Sequence, residues 1–145
     1  MTLDILKYPI GKYHLARDYS IDSINGWITI IEEFPEKISK LTQGLTSEEL
    51  NLVYRPDGWT IKQVVHHCAD SRLNSFIRFK WTLTEDSSTI KAYFEERWAE
   101  LPGSQDDDIS ISLELISGLH ARWTNLLKNL SDQQLERSFT HPETG

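Results

Sequence analysis

Residues 58–79 read GWTIKQVVHHCADSRLNSFIRF, and their apolar positions recur at the spacing of an α-helix. Thr60 is the expected N-cap, and the pattern extends to about Leu83. At 100° per residue from Ile61, the side chains of Val64, Val65, Cys68, Ala69, Phe76 and Phe79 fall on one broad face. His67 lies on a shoulder of that face. The same shoulder carries Ser71, Asn74 and Arg78, four, seven and eleven residues further on, which makes a polar stripe beside the core. His66 lies on the other shoulder with Leu73 and Ile77 and is expected to face packing. Consecutive helical residues point about 100° apart, so the two neighbours cannot easily share one metal ion. A metal pair on one helix needs a spacing of three or four, as in HExxH, and no such pair is present.

Two more long helices are expected. From Ile21 to about Leu41 the positions Ile24, Trp27, Ile28, Ile31, Phe34, Ile38 and Leu41 keep helical spacing, and Pro35 should kink or split that helix. From about Ile109 to Leu130 the stripe is Ile109, Leu113, Ile116, Trp123 and Leu127, with Asp108 as the cap and His120 in its middle. Thr46 with Glu49 and Ser131 with Gln134 have the capping-box form of short helical turns. RPDG at 55–58 and His141-Pro142 read as turns, residues 89–101 as a shorter helix, and PGSQDDD as a loop. The first twenty residues show no sustained period and read as an arm or loop. The class expected is all-α, in a single domain spanning residues 1–145.

Several functions are disfavoured. A net charge of −7 and the run Asp106-Asp107-Asp108 oppose nucleic-acid binding, which rewards clustered cations. The longest aliphatic cluster, Ile28 to Ile31, is interrupted by Thr29 and is too short to cross a membrane. The single Cys68 cannot form an intrachain disulfide, and no apolar leader opens the chain, so a reducing, cytoplasmic setting is expected. No Ser-His-Asp constellation or phosphate-cradling glycine loop is legible, and Cys68 on the apolar face reads as packing. The pairs Glu32-Glu33 and Glu95-Glu96 read as solvated faces, and Arg97 and Trp98 either cover a pocket or belong to the core. A histidine beside an apolar face is more often a hydrogen-bonded core group than a ligand. For His120 that reading is a bond to a buried carbonyl; the alternative is an interhelical site shared with His67.

The block at 54–101, YRPDGWTIKQVVHHCADSRLNSFIRFKWTLTEDSSTIKAYFEERWAEL, with YPIGKY at 8–13, LHARW at 119–123 and HPETG at 141–145, resembles the YfiT subgroup of the DinB-like superfamily. The resemblance implies a four-helix bundle, often homodimeric, that binds one zinc or nickel ion per subunit through three histidines and acts on a small-molecule substrate. It implies a metal-dependent hydrolase, or transfer of a low-molecular-weight thiol such as bacillithiol. The first ligand would be the second histidine of VVHH, His67, in agreement with the polar stripe. The other two would come from a last helix with a WHxxHHxxHI-like pattern, and the chain ends at Gly145 before it. One wall of the bundle would then be missing, whether the chain is a piece of a longer protein or a shortened member. Such a chain could also be a non-catalytic partial bundle that binds a partner helix. From spacing alone, Asn74 and Arg78 are the candidates to orient a ligand or substrate beside His67.

Overall fold

The computed structural model describes residues 3–14 and 18–142. Its helices are α1 (Leu3–Lys7), α2 (Ile21–Thr42), α3 (Ser47–Leu50), α4 (Ile61–Thr84), α5 (Glu95–Trp98), α6 (Ser110–Lys128) and α7 (Asp132–Leu135). The long helix α6 packs against both α2 and α4. One core cluster joins Ile28 of α2, Phe76 of α4 and Leu119, Trp123 and Leu127 of α6. A second joins Ile38, Val65, Ala69 and Ile116, with Cys68 packed against it. The apolar periods of the sequence thus meet at one three-helix seam, and Cys68 is the packing residue its position suggests. Among the described residues there is no strand, only the isolated bridges Val53–Thr60 and Thr89–Thr140. No described helix is long and apolar enough to cross a membrane.

The capping signals work as written. The side chains of Thr46, Thr60 and Ser131 each accept from the backbone three residues on, and Glu49, Gln63 and Gln134 return the bond. Asp108 acts one residue earlier than expected. The cap position is Ile109, and the Asp108 carboxylate accepts from the Ser110 amide at 3.0 Å, so it satisfies the first turn from just outside the helix. The first residues also differ from expectation: Leu3–Lys7 form a short helix where the lack of a long period suggested an arm. The C-terminal turn lies only partly within the described residues, and 143–145 of the HPETG segment fall outside them.

Pro35 does not split α2, which runs unbroken from Ile21 to Thr42. A proline removes the amide that would bond the carbonyl four residues back, here that of Ile31. That carbonyl has another donor: His120 Nδ1 lies 2.6 Å from Ile31 O. A carbonyl only accepts, so Nδ1 carries the proton. His120 is 1% exposed, and its ring stacks on Phe34 at 5.3 Å. The bland expectation for His120 therefore holds, and Pro35 supplies its reason.

The expected helix over 89–101 is a larger miss. Only Glu95–Trp98 is helical, and the chain before it is extended. Thr140 N donates to Ser88 O at 2.9 Å and Ile90 N to Thr140 O at 3.1 Å, so the backbone groups a helix would use internally go to a distant segment instead. Ile90 is 2% exposed, which anchors the extended stretch in the core.

Asp107 ties the acidic loop to two helices. Its carboxylate accepts from Lys62 Nζ at 2.6 Å, from Ser47 Oγ and from Asn51 Nδ2 at 3.2 Å. Lys62 is 9% exposed, so among the described residues this is the one ion pair with a largely desolvated partner. The bond from Lys62, then those from Ser47 and Asn51, lower the Asp107 pKa to about 2. Its folded value lies below the unfolded one of about 3.9, so this contribution is present above that value and is lost as pH falls through the folded one. Thermal melts from about pH 5 to about pH 2 should show Asp107→Asn losing less stability than wild type across that window. Parallel curves would show that the carboxylate is not coupled to folding.

Candidate metal centre

The site is built on the polar edge of α4. Gln63, His67, Ser71, Asn74 and Arg78 continue one another along the helix at spacings of three and four. The segment 91–99 runs beside this edge and is tied at both ends. Arg78 Nη2 donates to Lys91 O at 3.0 Å, and Gln63 Nε2 donates to Ala99 O at 2.9 Å. The groove expected beside His67 is thus partly covered by a strap that carries Tyr93 and Glu95.

The imidazole of His67 is half-buried. Trp59 packs on it, with ring centroids 4.7 Å apart and planes tilted by 57°. Its position comes from the RPDG turn, in which Asp57 takes a positive φ of 56°. A Cβ at Gly58 would sit 2.7 Å from Arg55 Cγ and 3.0 Å from Arg55 O, so the turn closes only around a glycine. Burial lowers the His67 pKa from its ordinary value, the Glu95 and Asp70 carboxylates pull it back up, and Arg72 lowers it again. The neutral ring is the form a metal requires. Burial also raises the pKa of Asp70, against a smaller opposing effect of His67 and His66. Tyr93, whose pKa burial raises, lies by Ser71 and feels Glu95, Asp70 and Arg78. Its ring packs on Trp98 at 4.7 Å. His67, Asp70, Tyr93 and Glu95 therefore share one neighbourhood.

The other sequence candidates divide. Asn74 Nδ2 bonds Asp70 O of its own helix at 2.9 Å, and Arg78 holds the strap and lies 6.0 Å over the Tyr93 ring. His66 does not face apolar packing as expected: its Nδ1 lies 2.8 Å from Ser112 Oγ and its Nε2 2.9 Å from Asp106 O. A carbonyl fixes the tautomer, with Nε2–H donating and Nδ1 accepting from the serine. Burial raises the Cys68 thiol pKa, which leaves it a poor nucleophile. Trp98 is neither core nor a closed cover, at 37% exposure. Trp59, Gln63, Asp70 and Tyr93 were not singled out from sequence, and Glu95, read only as part of a solvated face, is exposed yet acts on His67. Gln63 and Asp70 had a signal in their spacing of four and three from His67; Tyr93 and Glu95 had none once 89–101 was read as a helix.

Among the described residues, no group of three His, Cys, Asp or Glu side chains stands close enough to hold a metal ion. The described residues alone do not make a complete centre; they offer one half-exposed imidazole in a suitable state. A cavity of about 740 Å³ lies between α2 and α6 and is lined by Glu32, Glu36, Glu114 and Lys128 among others. No histidine reaches it, so it is separate from this chemistry.

The model of the DinB superfamily matches residues 30–145. A protein of Bacillus subtilis (strain 168), YfiT, whose name assigns it provisionally to the metal-dependent hydrolases, is 46% identical over 144 residues, covering 99% of this chain and 81% of its own length. A protein of Bacillus cereus (strain B4264) with the same provisional assignment is 47% identical over 140 residues, 97% of this chain and 80% of its own. The solved structure of Bacillus subtilis YfiT, described as an unusual four-helix bundle, superposes with a TM-score of 0.93 at 46% identity, covering 97% of this chain and 80% of that one.

Proposed function

The chain belongs to the DinB superfamily, and from that membership we propose that it works as a metal-dependent hydrolase in which His67 supplies one ligand to a divalent metal, zinc or nickel. The relatives' names support the activity class. The choice of His67 rests on one observation. Of the three histidines on α4 and α6, His66 has both ring nitrogens bonded to protein and His120 is almost fully buried under its bond to Ile31, whereas His67 is half-exposed with no protein hydrogen bond to its ring among the described residues. His120 Nε2 is also without a partner but is sealed in the core at 1% exposure, so His67 is the imidazole a ligand can reach. The remaining ligands then come from outside the described residues. In this reading Asp70 and Glu95, whose charges act on His67, and Asn74 and Arg78, further along the same edge of α4, orient a small-molecule substrate. Pairing with a second copy belongs to the same reading and is supported by apolar side chains left exposed on the long helices, such as Ile30, Leu41 and Ile111. We place this activity in the cytoplasm.

Hydrolysis of a panel of small amides and esters, with chelator and with zinc or nickel restored, tests the proposal. Turnover that chelator removes and metal restores is expected. Turnover indifferent to metal would contradict it. Activity that needs an added low-molecular-weight thiol would shift the reading to S-transfer. The lack of a complete donor set among the described residues favours one alternative, a non-catalytic partial bundle that binds a partner helix. Its signature is association without metal uptake.

A further inference from the structure

We infer that Trp59 is a positioning residue for the His67 imidazole, an inference that rests on reading His67 as a metal ligand. A ligating histidine ordinarily has its ring fixed by a hydrogen bond to the second nitrogen. Among the described residues His67 has no such bond, and the contact that restrains its ring is the Trp59 ring, with centroids 4.7 Å apart and planes tilted by 57°. Such a ring contact restrains the imidazole by packing and leaves both nitrogens uncommitted.

The indole is itself held in a stiff frame. Tyr54 N donates to Trp59 O at 3.4 Å and Ile61 N to Leu52 O at 3.0 Å, which pins the residues on each side of the turn. Thr60, the next residue, is locked in its capping box by Thr60 N to Gln63 Oε1 at 2.9 Å and Gln63 N to Thr60 Oγ1 at 3.3 Å. Gln63 in turn reaches Ala99 O with the other end of its amide. The turn, the cap and the strap are thus bonded to one another, and Trp59 transmits their rigidity to the ring. Gly58, which admits no side chain against Arg55, is what lets the turn bring the indole there.

The test compares Trp59→Leu, Trp59→Phe and, as a control for loss of a nearby aromatic, Trp98→Leu. Trp98 packs on Tyr93 rather than on His67. Two quantities are read in the full chain: the NMR side-chain order parameter of His67 without metal, and the zinc dissociation constant from a titration followed at the His67 ring. Trp59→Leu should release the ring and weaken zinc binding about 10- to 100-fold, the usual cost of losing a ligand's outer support. Trp59→Phe should keep both near wild type, and Trp98→Leu should leave His67 order unchanged. A melting curve confirms that each variant is folded. An unaltered order parameter and dissociation constant in folded Trp59→Leu would overturn the inference. If wild-type His67 does not respond to zinc, the ligand reading fails, while the metal-free order parameters still decide whether Trp59 holds the ring.

Discussion

In a form of the protein that carries its remaining metal ligands, His67→Ala abolishes saturable zinc or nickel binding, and His66→Ala leaves it intact while lowering stability. The two residues are neighbours in sequence, yet they point about 100° apart into different surroundings. His66 joins α4 to α6 through Ser112 and to the acidic loop through Asp106 O. Its removal breaks bonds to a half-buried hydroxyl and to the carbonyl of an exposed loop residue, each worth roughly 0.5–1.5 kcal/mol. His67 bridges nothing within the described protein, so its loss should cost the fold little and the metal everything. Inductively coupled plasma analysis of both dialysed variants, beside their melting curves, makes the comparison. Metal retained in full by His67→Ala would remove it from the ligand set.

His120→Ala should be the most destabilising single change among the histidines, and its cost should shrink when Pro35 is also replaced. A proline inside a helix costs about 3 kcal/mol, in part because the carbonyl four residues back loses its donor. His120 supplies that donor from another helix. Removing the ring orphans Ile31 O at roughly 1–3 kcal/mol and leaves a cavity beneath Phe34. In a Pro35→Ala background the restored amide of residue 35 can reach Ile31 O, so the two changes should couple by roughly 0.5–3 kcal/mol in a double-mutant cycle. Strict additivity would show that the histidine and the proline are unrelated. A pH signature accompanies the packing one. Burial, the leading cause, lowers the His120 pKa below the ordinary 6.5, with the Ile31 bond opposing it and Arg72 adding to it. A depressed folded value means that this contribution is complete above the unfolded pKa and is lost as pH falls from there toward the folded one. His120→Ala should flatten that part of the stability profile.

How much of this was legible in the sequence follows the range of the interactions involved. The three long helices were readable because each writes its burial into a local period, and the capping boxes because both partners lie within four residues. The role of His67 was half-readable: the stripe with Ser71, Asn74 and Arg78 is local, but the strap that covers it is not. Residues 89–101 have the composition of a helix, and the pairing of Ser88 and Ile90 with Thr140, some fifty residues away, overrides it. Asp70 was visible by spacing, whereas Tyr93 and Glu95 reach His67 only through that tertiary override. The continuity of α2 through Pro35 is of the same kind, since its donor lies 89 positions along the chain. His66 was placed on the correct shoulder but given the wrong surroundings, because a helical wheel does not show that the facing helix carries Ser112.

The central claim is that His67 alone among the histidines of α4 and α6 is available to a metal. The ring-nitrogen chemical shifts of those histidines, followed in the purified protein as zinc is added to saturation, test it most directly. The account predicts that one ring nitrogen of His67 moves to the range of metal-bound imidazole while both nitrogens of His66 and of His120 keep their metal-free tautomers. Zinc bound with the His67 nitrogens unmoved, or with a nitrogen of His66 or His120 moved in their place, would contradict it.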